Sequence, residues 1–128
     1  MNLLRVFADE SRETHLTPLD LPAVEGPDGN AERFGLGNIP TTTMTIGRLA
    51  ARKFDQGWHT APRRQIVVVL RGALEITTST GDCQRLGPGD CLLADDLDSK
   101  GHITRDVGEE HLATLTVGVP ADWHFPGT

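Results

Sequence analysis

The chain has no tyrosine, and only four phenylalanines and two tryptophans among its 128 residues. That scarcity excludes the aromatic platforms on which single-stranded nucleic acid stacks. Positive charge is also scarce. Twelve Lys and Arg face eighteen Asp and Glu, giving a formal net charge of -6 and a pI near 5.2. Basic residues cluster only at Arg52-Lys53 and Arg63-Arg64, so there is no basic stripe and no nucleic-acid partner is expected. No apolar run has the length of a membrane span, and Met1-Asn2-Leu3-Leu4-Arg5 opens without a signal-type apolar stretch. A cytoplasmic protein with no membrane partner is expected. Cys83 and Cys91 are too few for a zinc site of their own. Their spacing permits a disulfide, but in a reducing compartment two half-buried free thiols are the expectation.

Helix signals are scarce too. What remains is a succession of short alternating or apolar runs punctuated by Gly, Pro and Asp. Strands are expected around Leu3–Phe7 and His15–Leu21, then a turn-rich stretch from Glu25 to Asn30. Gly35-x-Gly37 lacks the strand-to-helix context of a dinucleotide fingerprint. Thr41–Phe54 alternates and is broken by Asp55-Gln56-Gly57. Gln65–Leu70, with the longest apolar run, is a buried strand that turns at Arg71-Gly72 into Ala73–Ser79. Thr80-Gly81-Asp82 and Leu86–Asp90 are further turns, leading to a strand at Cys91–Ala94. A polar loop from Asp95 to Gly101, a strand at His102–Arg105, a turn at Asp106–Gly108 and a last strand at His111–Val119 follow. Many strands at such short spacing mean a sandwich or barrel. The length suits one all-β domain: 1–40 as N-terminal strands and loop, 41–120 as the barrel core, 121–128 as a tail.

Polarity is misplaced at one point. Trp58-His59-Thr60-Ala61-Pro62-Arg63-Arg64-Gln65 runs directly into the apolar Ile66–Leu70. In an unbroken extended segment His59, Ala61, Arg63 and Gln65 would share one side. Polar groups on the inner side of a β-structure are costly unless they meet partners or a ligand. Function is therefore sought here first.

From Gly57 to Val119, about half the chain, the sequence resembles the cupin superfamily of double-stranded β-helix (jelly-roll) proteins. His59 fits the first histidine of that family's first motif, Gln65 stands at its glutamate, and Gly72 keeps the six-residue spacing to its closing glycine. Gly81, five residues, then Gly87-Pro88-Gly89-Asp90 is a shifted form of the second motif, with His102 as its late histidine. Two departures matter: Ala61 replaces the family's second histidine, and Gln65 its carboxylate. The resemblance implies a jelly roll, and it implies homodimers that cover the edge strands.

The metal-binding members imply His59, Gln65 and His102 as ligands to one divalent ion (Fe, Zn, Ni or Mn). Two imidazoles and an amide leave such an ion's charge uncompensated, and Arg63 and Arg64 add repulsion. A metal-free pocket is the preferred expectation. There His59 and His102 are general acid and base, and Arg63 or Arg64 recognises an anion through its planar fork. Gln65 orients the substrate or a ring. Arg48 joins the pocket only if Met44, Ile46 and Ala50, which share its parity, face inward; periodicity leaves that open. The expected activity is isomerase, cyclase or lyase chemistry on an anionic or carbonyl-bearing metabolite. A metal-dependent oxygenase and a non-catalytic ligand-binding or sensory module are the alternatives. His111, His15 and His124 look peripheral, Trp58 is expected at the rim or in core packing, and Asp95-Asp96-Leu97-Asp98 is expected to be a solvated acidic loop.

Overall fold

The computed structural model describes residues 2–20, 23–24, 34–35, 39–49 and 55–128. These form twelve strands and, among the described residues, no helix. The strands are β1 (Leu3–Ala8), β2 (Thr14–Pro18), β3 (Ala23–Val24), β4 (Phe34–Gly35), β5 (Met44–Arg48) and β6 (Asp55–His59). They continue with β7 (Gln65–Arg71), β8 (Leu74–Thr78), β9 (Cys83–Leu86), β10 (Cys91–Asp95), β11 (His102–Asp106) and β12 (Ala113–Gly118). One sheet has the order β2-β1-β10-β7-β12-β5, a second has β6-β11-β8-β9, and β3 pairs with β4 alone. The first two make a β-sandwich. The strand between Cys91 and Ala94 is central, flanked by β1 in parallel and β7 antiparallel.

Period-two alternation sorts the apolar residues to the two faces of the six-stranded sheet. Leu92, Ala94 and Val69 face the second sheet and pack there with Val6, Leu74, Ile76, Leu86 and Leu112. Leu93 and Ile66, opposite each other in register, point the other way. They form an outer cluster with Val119 and Phe125. The tail, residues 121–128, contributes to this cluster. Phe125 is buried and meets Trp123 edge-on, at 6.0 Å between ring centroids. Burying such a ring contributes on the order of 1.5–3 kcal/mol.

Two expectations change. Asp55-Gln56-Gly57 does not break the chain; it is most of β6, paired antiparallel with β11. The Thr41–Phe54 strand is shorter, at Met44–Arg48, and residues 50–54 lie outside the described residues. Its parity is settled by pairing. Thr45 and Gly47 stand opposite Thr116 and Thr114, whose side chains face the sandwich interior, so Met44, Ile46 and Arg48 face outward. Met44 and Ile46 are 67% and 66% exposed on this edge strand. The Glu25–Asn30 turn and Gly37 also lie outside the described residues.

Connections decide which residues meet. β6 leads into β7 and β10 into β11 at one end of the sandwich, bringing His59, Gln65, Ala94 and His102 together. At the other end β7 turns into β8 and β11 into β12, which gathers Leu74 and Leu112.

Candidate active site

His59 and His102 are direct partners in the β6–β11 pairing. Their ring centroids lie 4.4 Å apart with the planes tilted by 57°. Both rings line a cavity of about 270 Å³ between the two sheets. Gln65 and Gln56 line it as well, with hydroxyls from Thr104, Thr114 and Thr116, and the remaining wall is aliphatic. The convergence of His59, Gln65 and His102 expected from the sequence is therefore present.

The decisive partner lies in the segment expected to be solvated. Asp96 is fully buried, at 0% exposure. One carboxylate oxygen accepts from His102 Nδ1 at 2.5 Å, and the other accepts the Ala61 backbone N–H at 3.2 Å. His102 is itself buried. A carboxylate on Nδ1 fixes the tautomer and leaves Nε2 with its lone pair. His59 is held in the same sense, its Nδ1 donating to the Gly57 carbonyl at 2.6 Å. The loop between β10 and β11 is built to place this pair. Ser99 Oγ donates to the Asp96 carbonyl and accepts the Gly101 N–H, and Thr14 Oγ1 donates to the Gly101 carbonyl. Lys100 pairs with Glu13 at the loop's surface. Only Leu97 and Asp98 of the acidic run are exposed with the solvent-facing character expected of all four.

The arginines are elsewhere. Residues 60–64 bend rather than extend, so the parity that grouped Arg63 with His59 does not carry through. Arg63 is exposed and does not line the cavity. Arg64 is buried but structural: Nε donates to Asp95 at 2.7 Å, and Nη1 donates to the Ala121 and Trp123 carbonyls at 2.9 and 2.8 Å. Asp95 also accepts from Arg5, so this buried carboxylate bridges two guanidiniums. Arg48 faces outward on β5. The anion-binding roles expected of Arg63, Arg64 and Arg48 are thus not supported by their positions. An Arg64→Met variant should lose about 3 kcal/mol in denaturant unfolding, the scale of breaking a buried ion pair, while the cavity's ligand affinity stays unchanged.

Burial pushes the His59 pKa down from the ordinary 6.5, and the neighbouring His102 adds to this; the Gly57 carbonyl and Asp96 act in the opposite direction. The net shift is downward, so His59 is a neutral ring at neutral pH. The folding consequence has a definite sign. Above pH 6.5 both folded and unfolded chains carry a neutral His59, and its contribution is fully favourable. On acidification the unfolded chain takes the proton first, and stability falls until the pH passes the depressed folded value. Urea midpoints measured against pH should show this decline, and a His59→Gln variant should lack it.

Sequence reasoning also missed Thr104, Thr114, Thr116, Gln56 and Leu49 as cavity residues. The signal existed for Thr104, which shares period-two parity with His102. His111 is exposed, with Nδ1 3.3 Å from the Leu49 carbonyl. His15 pairs with Asp9 at the surface, His124 is exposed, and Trp58 is exposed and so not in the core. Cys83 and Cys91 are free, on different sheets.

A divalent ion would have His59, His102 and Gln65 as its nearest donor residues on the cavity wall. Among the described residues no three His, Cys, Asp or Glu side chains cluster as a metal site, and Asp96 is committed to His102 and Ala61. Two imidazoles and an amide leave the ion's charge unbalanced in a largely aliphatic cavity. This donor set does not fit a resident divalent ion.

Fold and site together define a two-sheet β-sandwich holding a carboxylate–imidazole–imidazole array in its interior. No protein-family model matches the chain, and no curated protein matches it. Among solved structures, the chain is similar to the crystal structure of protein NMB1881 from Neisseria meningitidis, at 17% sequence identity and a TM-score of 0.45. That likeness covers 60% of this chain and 72% of the other. Among the described residues, no helix is long and apolar enough to cross a membrane.

Proposed function

We propose that the protein is a small-molecule enzyme of cupin-type jelly-roll architecture, catalysing proton transfer next to a carbonyl, as isomerases, cyclases and lyases do. The observation that carries this reading is the buried Asp96–His102 pair set against His59 at the cavity wall. A carboxylate behind an imidazole stabilises the imidazolium that forms when Nε2 takes up a proton. His102 Nε2 removes the proton from the carbon, and the C–H electrons move into the new C=C bond as the carbonyl oxygen becomes an enolate. Donors on the cavity wall, the Gln65 amide and the Thr104 hydroxyl, stabilise that oxygen. Reprotonation at the same or a neighbouring carbon returns the proton. His59, neutral and at ring-contact distance, is the second acceptor through which the proton reaches a different atom.

The test uses the partial reaction that all three classes share. Small ketones incubated with the protein in heavy water should gain deuterium at the α-carbon at about 100-fold or more above buffer, the lower range of positioned acid–base catalysis. Exhaustive dialysis against a chelator should leave that rate unchanged. Exchange that disappears with the chelator and returns with iron, manganese, nickel or zinc would replace this reading by a metal-dependent one. Tight ligand binding with no exchange would make the protein a binding module.

A further inference from the structure

The cavity carries a second kind of information, about the charge and size of what enters it. Among the described residues, no Lys, Arg, Asp or Glu side chain lines its wall. Its polar groups are neutral amides, hydroxyls and the two imidazoles. His59, His102 and Gln65 are gathered at one end by the connections; Gln56, Thr104 and Thr116 lie midway with Ile76 and Leu92, and Thr114 lies toward the other end with Leu49, Leu74 and Leu112. A carboxylate or phosphate brought here would be desolvated with no counter-ion among the described residues, which costs several kcal/mol. A carbonyl needs only one or two donors, and the Gln65 end supplies them. The volume, about 270 Å³, lies between the roughly 150 Å³ that holds a benzene and the 300 Å³ at which drug-sized sites begin.

We infer that the ligand is an uncharged, largely apolar carbonyl compound of about one ring's size, its oxygen at the His59–His102–Gln65 end and its body among the aliphatic side chains. This rests on the proton-transfer reading for its chemistry, and of the anionic or carbonyl-bearing metabolites expected it selects the neutral carbonyl compounds. Selectivity then comes from the absence of a counter-charge among the described residues: anions are rejected because no charged side chain among them lines the wall.

Acetophenone and benzoate test this, since they are equal in heavy atoms and differ in charge. Each is titrated into the full chain at neutral pH and followed by methyl and amide NMR shifts. Acetophenone should bind at least about tenfold more tightly than benzoate, the minimum expected from an unpaired buried carboxylate. Its shifts should centre on Ile76, Leu92 and Leu112. In a Gln65→Arg variant the preference should narrow or reverse, because a guanidinium now faces the anion. Benzoate binding as tightly as acetophenone in the native chain, or neither compound binding, overturns the ligand assignment. Acetophenone that binds as expected but gains no deuterium at its methyl group overturns the proton-transfer reading and leaves the ligand assignment standing. Should Gln65→Arg fail to fold, Thr116→Phe, which fills the middle of the cavity, should abolish acetophenone binding; undiminished affinity in that variant places the ligand elsewhere and sinks the inference.

Discussion

An Asp96→Asn variant should keep its fold and lose deuterium exchange by about 100-fold, down to near the buffer rate, because the carboxylate behind the catalytic imidazole becomes an amide. The reason is donor arithmetic. Asp96 faces two N–H groups, one from Ala61 and one from His102 Nδ1, and a carboxylate accepts both. An asparagine in the same rotamer has one accepting oxygen. If it serves Ala61, its NH2 group points at His102 and forces Nδ1 to accept, which moves the ring proton to Nε2. The lone pair that faces the substrate is then gone. The stability cost should be about 1–3 kcal/mol, the range for a disturbed buried hydrogen bond. Exchange rates and urea unfolding on the same preparation separate the two effects. A variant that is destabilised but exchanges normally would show that Asp96 only holds the loop.

The second large effect is steric. Gly101 adopts φ +80°, and a Cβ built on it would stand 2.4 Å from the His59 carbonyl oxygen and 2.6 Å from its carbon. Those are backbone atoms of a paired strand, which cannot swing aside as a side chain can. The left-handed conformation alone costs a non-glycine residue about 1–2 kcal/mol. The contact adds to that, so Gly101→Ala should lose about 3 kcal/mol or more in denaturant unfolding, among the larger single-residue effects. It should also push β6 from β11 and part the two rings. Exchange should therefore fall even at temperatures where the variant remains folded. Normal exchange in a folded Gly101→Ala variant would mean that the 4.4 Å ring contact is not required.

Much of this was legible in the residues, and the reasons for the rest are physical. Alternation and turn residues located most of the strands, because the sandwich has one inner and one outer face and the period of two follows directly. Polar residues leading into Ile66–Leu70 marked the cavity correctly at His59 and Gln65. What misled was the assumption of an unbroken extended segment. The bend at residues 60–64 turns Arg63 to solvent and sends Arg64 to Asp95 and the chain's last carbonyls. A local pattern cannot show that bend's tertiary partners. Asp96 was hidden for the same reason: in a run with Asp95 and Asp98 it looks solvated. Its burial depends on His102 six residues on and Ala61 thirty-five residues back. Arg48 was undecidable from periodicity, and the pairing of Thr45 and Gly47 with the cavity-lining Thr116 and Thr114 resolved it.

The central claim is a proton placement, and nitrogen-15 NMR of the histidine rings reads it without a substrate. The account expects His102 and His59 each to carry a proton on Nδ1, with the His102 proton strongly downfield through its bond to Asp96, and both Nε2 resonances to shift when acetophenone is added. A His102 ring protonated at Nε2 alone, or a downfield proton that survives Asp96→Asn, would contradict it.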